Sequence, residues 1–481
     1  MSELPKGWVE TTIGEVADSR SGVGFPKSIQ GRTEGRYPFI KVGDLSRSVL
    51  RGDTTITTAE YSVDEHDLDC LKASPIPEGS VLFAKIGEGI SLNRRALTGR
   101  EALADNNVMA LVPSATVPAF LLRFMQTIDL YPLASATTVP SIRKSDIDAI
   151  LIALPPIQEQ RRIVAKLDEL LARSRRAKEE LAAIPALLER YRQSVLAAAF
   201  RGDLTADWRE KNPGVEPATR WLQRRGIDVR TDSRGYADHG LPAGWSTVLL
   251  RDIAAKVTSG SRAWSKYYDQ GKAVFVLAQN VRNTGLEFRS IQHVNPPMDD
   301  PERERTRIEF GDVLVTIVGA NTGDCCDVRQ PVLDHYVCQS VALVRPVALE
   351  LSRWISMFVQ RSVAEGGVLS SDIYGAARPH LGLDHLRNLV VPIPPHPEMT
   401  RALCLFDQWE TASKSLQEGC EQHSNQLEAL ERAILTRAFR GELVPQDPAD
   451  EPASVLLERI RAERAAAPVK KSSPRRSRKE A

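Results

Sequence analysis

The residue types most suggestive of catalysis in this chain are Asn295-Pro296-Pro297-Met298. Adenine-N6 methyltransferases act on an extruded base, and an Asn-Pro-Pro-aromatic element there bonds the amino group while the aromatic ring stacks on the base. Here Met298 stands where the aromatic would be. No glycine-rich cofactor loop lies at a suitable distance, so the string reads better as a proline turn after a strand. Gly87-Glu88-Gly89 lacks the third glycine and the Lys-Ser/Thr of a phosphate cradle. The six cysteines show no C-x-x-C spacing, and Cys325-Cys326 are adjacent, which suits neither zinc nor an ordinary disulfide framework. His423 falls on an apolar helical seam and reads as a packed histidine. No metal site and no nucleophile–base constellation emerges.

Recognition chemistry is better represented. Ser21–Arg32 carries Lys27, Gln30 and Arg32 among glycines, and Ser259–Tyr268 carries Ser261, Arg262, Lys266 and Tyr268. Such residues serve a reader of base edges and phosphates: charged donors, adaptable hydroxyls and amides, and close backbone approach at glycine. The same reasoning nominates Arg94 and Arg95 after Asn93, Arg143 and Lys144 after Ser141-Ile142, Asn321 before Thr322, and Arg378 after Ala377.

The elements that must hold these loops are written twice. Leu4-Pro5-Lys6-Gly7-Trp8 returns as Leu241-Pro242-Ala243-Gly244-Trp245, and Ala199-Phe200-Arg201-Gly202-Asp203-Leu204 returns as Ala438-Phe439-Arg440-Gly441-Glu442-Leu443. A period of roughly 240 residues is a duplicated domain pair, not a solenoid array. Between these markers, strand-length runs correspond in order: 37–42 with 273–278, 79–83 with 311–315, and 108–112 with 340–344. Mixed with helical stretches, they indicate an α+β unit. Each unit ends at prolines, Pro155-Pro156 and Pro394-Pro395, followed by helix signal.

Alternating steps of four and three trace a heptad seam in the first helix: Ile163, Leu167, Leu170, Ser174, Ala177, Leu181, Ile184, Leu188, Tyr191, Val195, Ala198. The second reads Ala402, Phe406, Trp409, Ser413, Leu416, Cys420, His423, Leu427, Leu430, Ile434, Arg437. A helix of roughly 36 residues spans about 54 Å and cannot fold back on its own domain, so each seam seeks the other. Pro185 is expected to interrupt and kink the first helix.

Composition sets outer bounds. With 481 residues, 42% hydrophobic and 26% charged, the chain matches soluble globular protein. It has no apolar run of membrane-spanning length and no secretory leader, so a cytoplasmic location without membrane contact is expected. Net charge is +1, which does not announce a nucleic-acid binder. The charge is uneven, however. Lys470, Lys471, Arg475, Arg476, Arg478 and Lys479 crowd the C-terminal stretch against Glu480. That stretch reads as disordered and as either a solubilising end or a phosphate-contacting arm.

At this point the pattern resembles the specificity subunit of a type I restriction-modification system. The resemblance runs over essentially the whole chain and is carried by the Leu-Pro-x-Gly-Trp openings, the Leu154-Pro155-Pro156-Ile157-Gln158-Glu159-Gln160-Arg161-Arg162 helix start and the paired closers. The second helix start departs from it as Pro394-Pro395-His396-Pro397-Glu398-Met399. The resemblance implies two tandem target-recognition domains, each reading half of a split, asymmetric site in double-stranded DNA. It also implies long helices packed as an antiparallel coiled-coil pair that spaces the domains and docks two methyltransferase subunits. Translocating nuclease subunits can join such complexes. S-adenosylmethionine would sit on the methyltransferase partners, with no cofactor and no active site on this chain.

The expected boundaries are recognition domain 1 at 1–153, a helical spacer at 154–205, a linker at 206–240, recognition domain 2 at 241–392, a second spacer at 393–444 and a basic disordered tail at 445–481. Two readings compete: a self-sufficient adenine-N6 methyltransferase using Asn295-Pro296-Pro297, and a coiled-coil adaptor that binds no DNA.

Overall fold

A computed structural model of the chain describes residues 4–135, 139–227, 229, 240–374 and 379–466. The chain divides into two units, residues 1–181 with 421–481 and residues 182–420. The division falls inside both long helices, Ile157–Arg201 and His396–Phe439. Each unit therefore owns one α+β domain and one half of each helix.

The two α+β domains share a strand plan. In the first unit the largest sheet runs Ala17–Ser21, Val108–Pro113, Val81–Ala84, Arg95–Thr98 and Thr55–Ile56. In the second it runs Ala254–Ser259, Val341–Pro346, Val313–Thr316 and Cys325–Asp327 in the corresponding order. The central strands Val81–Ala84 and Val313–Thr316 are buried at every position, as unalternated apolar runs should be when both faces are covered. Smaller sheets repeat as well: Tyr37–Ile40 pairs antiparallel with Tyr61–Val63 and parallel with Leu103–Ala104, as Tyr268–Val276 does with Gln292–Val294 and His335–Val337. Each domain closes by pairing its first strand with its last, Val9–Thr12 with Leu151–Leu154 and Ser246–Leu249 with Val390–Ile393.

Inside each unit the helix halves run antiparallel. In the first, Ile163 and Leu167 share a core with Ala438, while Ser174 donates to Glu431 Oε1 at 2.7 Å and Lys178 Nζ reaches its Oε2 at 2.8 Å. In the second, Val195 and Phe200 share a core with Ala402 and Phe406, and the Tyr191 and Trp409 rings lie 6.1 Å apart. The seam corrects the heptad path in its later turns. Cys420 is buried as the path requires, but Tyr191, Leu416, His423, Leu430 and Arg437 are exposed, and Arg192, Ser424, Glu431 and Ala438 turn inward instead. A straight helix drifts about 20° per heptad from a 3.5-residue repeat, so after three or four heptads the inward position moves one residue on. Pro185 does not interrupt the first helix, which continues through it.

The repeated sequence markers meet in a junction that each unit builds from the opening of its domain, the start of one long helix and the end of the other. In the first unit Trp8 Nε1 donates to the buried Glu159 Oε2 at 3.0 Å, and Gln446 Nε2 bridges Glu159 Oε1 at 3.2 Å and the Gly441 carbonyl at 2.6 Å. In the second, Trp245 Nε1 donates to the buried Glu398 Oε2 at 3.1 Å. Arg209 there bridges Glu398 and the Gly202 carbonyl, and Thr205 donates to Glu398 at 2.7 Å. Gly441 and Gly202 sit at φ 74° and 80°. A Cβ on Gly441 would lie 2.4 Å from Pro5 Cγ, and one on Gly202 2.5 Å from Pro242 Cγ. Glycine is thus required twice over, by the backbone turn and by the proline-tryptophan surface against it.

Two stretches correct the sequence expectation. Within the anticipated linker, Ala218–Gln223 is a helix whose Trp221 and Leu222 join the second unit's core, with Trp221 stacked on His396 at 5.1 Å. Within the anticipated disordered tail, Ala453–Ala466 is a helix buried through Leu457 and Ile460 on the first unit. Its apolar positions are sparse among charges, so the contact with a neighbouring surface, rather than periodicity alone, settles its structure. Residues 467–481 lie outside the described residues.

Gly441→Ala and Gly202→Ala should each destabilise the protein by more than the ~1–2 kcal/mol that a left-handed backbone costs an L-residue, measured by urea denaturation. Burial raises the Glu159 carboxyl above its usual range. The folded state therefore binds this proton more tightly, and the group's contribution to stability falls as pH rises through the raised value. Glu159→Gln should accordingly fall behind wild type least, or exceed it, above pH 7, while Glu159→Ala strands the Trp8 indole and costs about 1–3 kcal/mol. Denaturation midpoints at pH 5 and pH 8 separate the two.

Candidate nucleic-acid interface

In each domain one glycine starts the main candidate loop where backbone crowds backbone. Gly22 donates to the Val108 carbonyl at 3.0 Å, and a Cβ there would stand 1.9 Å from the Asp105 carbonyl oxygen. Gly260 stands in the same relation to Val337, also at 1.9 Å. A second pair of segments is clamped alike in both domains. Gly87 donates to Pro140 at 2.8 Å and Ile142 to Lys85 at 2.9 Å; Gly319 donates to Pro379 at 3.0 Å and Leu381 to Ile317 at 2.9 Å. The scaffold thus brings the loop after a central strand against the segment before the last short helix.

On this scaffold the nominated residues separate. Lys27 is exposed on a 3-10 turn anchored by buried Ile29. Gln30, exposed beside it, donates to the Phe25 carbonyl at 2.7 Å. Arg32 is half-buried and paired to Asp67 at 2.8 Å. Arg143 and Lys144 are exposed at the start of helix Lys144–Asp148, and Lys144 lies 3.6 Å from Asp18. Arg94 is half-buried. In the second domain Arg262 and Lys266 are exposed, with the Lys266 ammonium 4.9 Å from the Tyr267 ring. Tyr268 is half-buried against Phe275, and burial pushes its phenol up. Asn321 is half-buried in a turn in which its carbonyl accepts from Asp324 at 3.0 Å. Arg378 lies outside the described residues.

Arg95 and Ser261 are corrections. Arg95 is buried, donating to the Asn93 carbonyl at 2.7 Å, the Asn93 amide oxygen at 3.0 Å and the Ile128 carbonyl at 2.6 Å. Burial pulls its pKa down to about 10, which still leaves it charged at neutral pH. It braces the turn at Asn93 from the first position of strand Arg95–Thr98, while Arg94 lies just outside that strand. Ser261 is buried too, accepting from the Ala263 amide at 3.2 Å, and its hydroxyl helps hold the Glu302 carboxyl below the usual range.

Other residues belong to this surface without having been nominated. Lys85 Nζ donates to Ser21 at 2.9 Å, joining the two loop systems of the first domain. Phe25 stacks on Phe39 at 4.0 Å, and the Lys41 ammonium lies 4.1 Å from the Tyr61 ring and 4.7 Å from that of Phe25. The readable signal was Lys41 itself, a charge closing an otherwise apolar strand run.

Catalytic candidates gain nothing from the geometry. Asn295 and Met298 are exposed in a turn after strand Gln292–Val294, and Asp300 donates to the Pro297 carbonyl at 3.3 Å, as a proline turn requires. Burial raises Cys325 far above the ordinary thiol range and Cys326 to about 12, which makes both inert packing residues. Among the described residues no cluster of His, Cys, Asp and Glu could hold a metal ion. No helix there is long and apolar enough to cross a membrane.

The scaffold has known relatives. Residues 5–186 match the family described as type I restriction modification DNA specificity domain. The EcoBI specificity subunit of Escherichia coli is 26% identical over 97% of this chain and 94% of its own length, and the EcoDI specificity subunit is 29% identical over 71% and 75%. Over almost its whole length the chain is thus similar to type I specificity subunits. Its fold agrees. A structure described as the basis of complex assembly and conformational transition of the type I R-M system matches at TM-score 0.65 and 20% identity, over 92% of this chain and 100% of that one. The HsdS subunit from Thermoanaerobacter tengcongensis matches at TM-score 0.52 and 22% identity, over 92% and 98%. Within this chain the junction residues recur in both halves, whereas the exposed loop residues differ between them.

Arg95→Ala should lower stability by about 3 kcal/mol or more, since three acceptors lose a buried charged donor. Arg94→Ala should leave the melting curve in place. Equal shifts for the two variants in differential scanning fluorimetry would remove the distinction drawn between them.

Proposed function

We propose that this specificity subunit reads double-stranded DNA in two parts, one recognition domain for each half of a split, asymmetric site, and performs no chemistry itself. The single observation that carries the reading is the contrast between a repeated frame and unrepeated loops. The Trp-Glu-Gly junctions, sheet orders and loop clamps recur in both domains, while Lys27, Gln30 and Arg143 face different counterparts in Arg262 and Lys266. A frame that recurs with altered loops suits two related but unequal DNA sequences.

In this reading, exposed Lys and Arg take phosphates and guanine edges, and Gln30 takes an adenine edge. The net charge of +1 is explained by partners that share the hold on DNA. Two methyltransferase subunits dock on the paired long helices and bring S-adenosylmethionine, nuclease subunits join the assembly, and the complex works in the cytoplasm. The helices act as a spacer: four added residues lengthen a helix by about 6 Å, close to two base pairs at 3.4 Å each.

The test is co-expression with the cognate methyltransferase subunit, followed by mapping of N6-methyladenine across the host genome by single-molecule sequencing. A split motif methylated on both strands is expected. Matched four-residue insertions in both long helices should lengthen its unspecified spacer by about two base pairs. Absence of any motif refutes DNA recognition, and an unchanged spacer in an active complex refutes the ruler alone. Crosslinking of labelled S-adenosylmethionine to the isolated chain would instead favour a methyltransferase.

A further inference from the structure

The turn that enters strand Val108–Pro113 and its counterpart entering Val341–Pro346 carry the same polar group, although the sequences around it differ. In each the fourth residue donates back to the first, Val108 to the Asp105 carbonyl at 2.9 Å and Val341 to the Cys338 carbonyl at 3.0 Å. Asp105 also accepts from the Asn107 amide at 2.7 Å. Asn106 and Gln339 hold the second position of these four-residue turns, a position open to most residue types, so the backbone asks for no amide there. Asn106 is exposed and Gln339 half-buried, and among the described residues neither side chain has a hydrogen-bond partner.

The two turns also occupy the same place. The Asn107 carbonyl accepts from Lys85 at 2.8 Å, and the Ser340 carbonyl accepts from Ile317 at 2.8 Å. On the other side, Gly22 donates to the Val108 carbonyl and Gly260 to that of Cys338 at 3.2 Å. Each turn is thus stitched between the two loop systems of its own domain. In the first domain, strand Val108–Pro113 leads at its far end to Thr116 and Val117, which donate to the Gln160 side chain at 2.9 and 2.8 Å. A strand of this length keeps the turn about 20 Å from that helix start, at the end of the domain remote from the junction.

An amide on a fixed turn offers one donor and one acceptor, the pair that matches N6 and N7 of adenine in the major groove. We infer that Asn106 and Gln339 are base readers, each bonding an adenine edge in the half-site met by its own domain. The inference rests on the proposed two-part reading of DNA. Exposed cations nearby suit phosphates, whereas an uncharged amide gains more from a base edge that satisfies both of its groups. Two domains with different loops thereby agree on one base.

The experiment uses the complex with the methyltransferase subunit and compares the wild-type chain with Asn106→Ala, Asn106→Asp, Gln339→Ala and Gln339→Glu. N6-methyladenine mapping is paired with titration of duplexes that each change one base pair of the wild-type site, so preference is read even where methylation fails. Every variant should melt with the wild-type chain, because no described partner loses a bond. Each alanine variant should lose about fivefold or more of its discrimination for adenine at one position, with the other half-site unchanged. A carboxylate accepts from the cytosine amino group, so Asn106→Asp and Gln339→Glu should favour cytosine at the same position. The Asn106 and Gln339 positions should fall in different half-sites. Unchanged preference, or binding weakened equally on every duplex, would overturn the inference while leaving the proposed function standing. Effects of both residues on one half-site would overturn it as well. A wild-type complex with no motif would refute the proposed function, and this inference with it.

Discussion

A buried carboxylate held by an indole is the constraint on which each half of the molecule depends. Glu159 and Glu398 lie buried in the first turn of their helices, where an unpaired charge would be costly, and each is satisfied by a tryptophan from the domain opening and by a donor following the opposite helix. Three segments distant in sequence are thereby fixed to one another. The proline of each domain opening and the glycine after the opposite helix belong to the same arrangement: Pro5 and Pro242 fill the space that a side chain on Gly441 or Gly202 would need.

Given that junction, the sheets inherit their placement. The first and last strands of each domain pair beside it, and the larger sheet then presents its loops through crossings tight enough to exclude any Cβ, at Gly22 and Gly260. A loop begun under such crowding has a fixed origin and a free remainder. Fixed origins explain why frame and loops can differ so sharply in their tolerance of change.

Much of this was legible in the sequence. Repetition exposed the domain plan, and apolar runs identified the central strands, because burial on both faces leaves an unmistakable pattern. Gly441 and Gly202 were visible as repeated closers, but their role against proline was not, since it depends on contacts with the domain openings, distant in sequence from each glycine. Arg95 was misread for a related reason. Sequence shows an Arg-Arg pair, and only the fold, which brings Asn93 and the Ile128 carbonyl around Arg95, decides which one is buried. His423 was lost to the small mismatch between 3.5 and 3.6 residues per turn, which accumulates silently along a helix. The helix at Ala453–Ala466 was hidden because its stability comes from the surface that receives it.

The interleaved ownership of the long helices also sets an order of events during synthesis. Residues 182–420 are contiguous, so the second unit has all its parts as soon as Cys420 leaves the ribosome. The first unit contains the earliest residues of the chain but needs the last ones: Trp8 and Glu159 wait for Gly441 and Gln446. At about 5–20 residues per second, that wait lasts roughly 15–60 s. For that interval the N-terminal domain carries an open junction, and the half of the protein translated first is the half completed last.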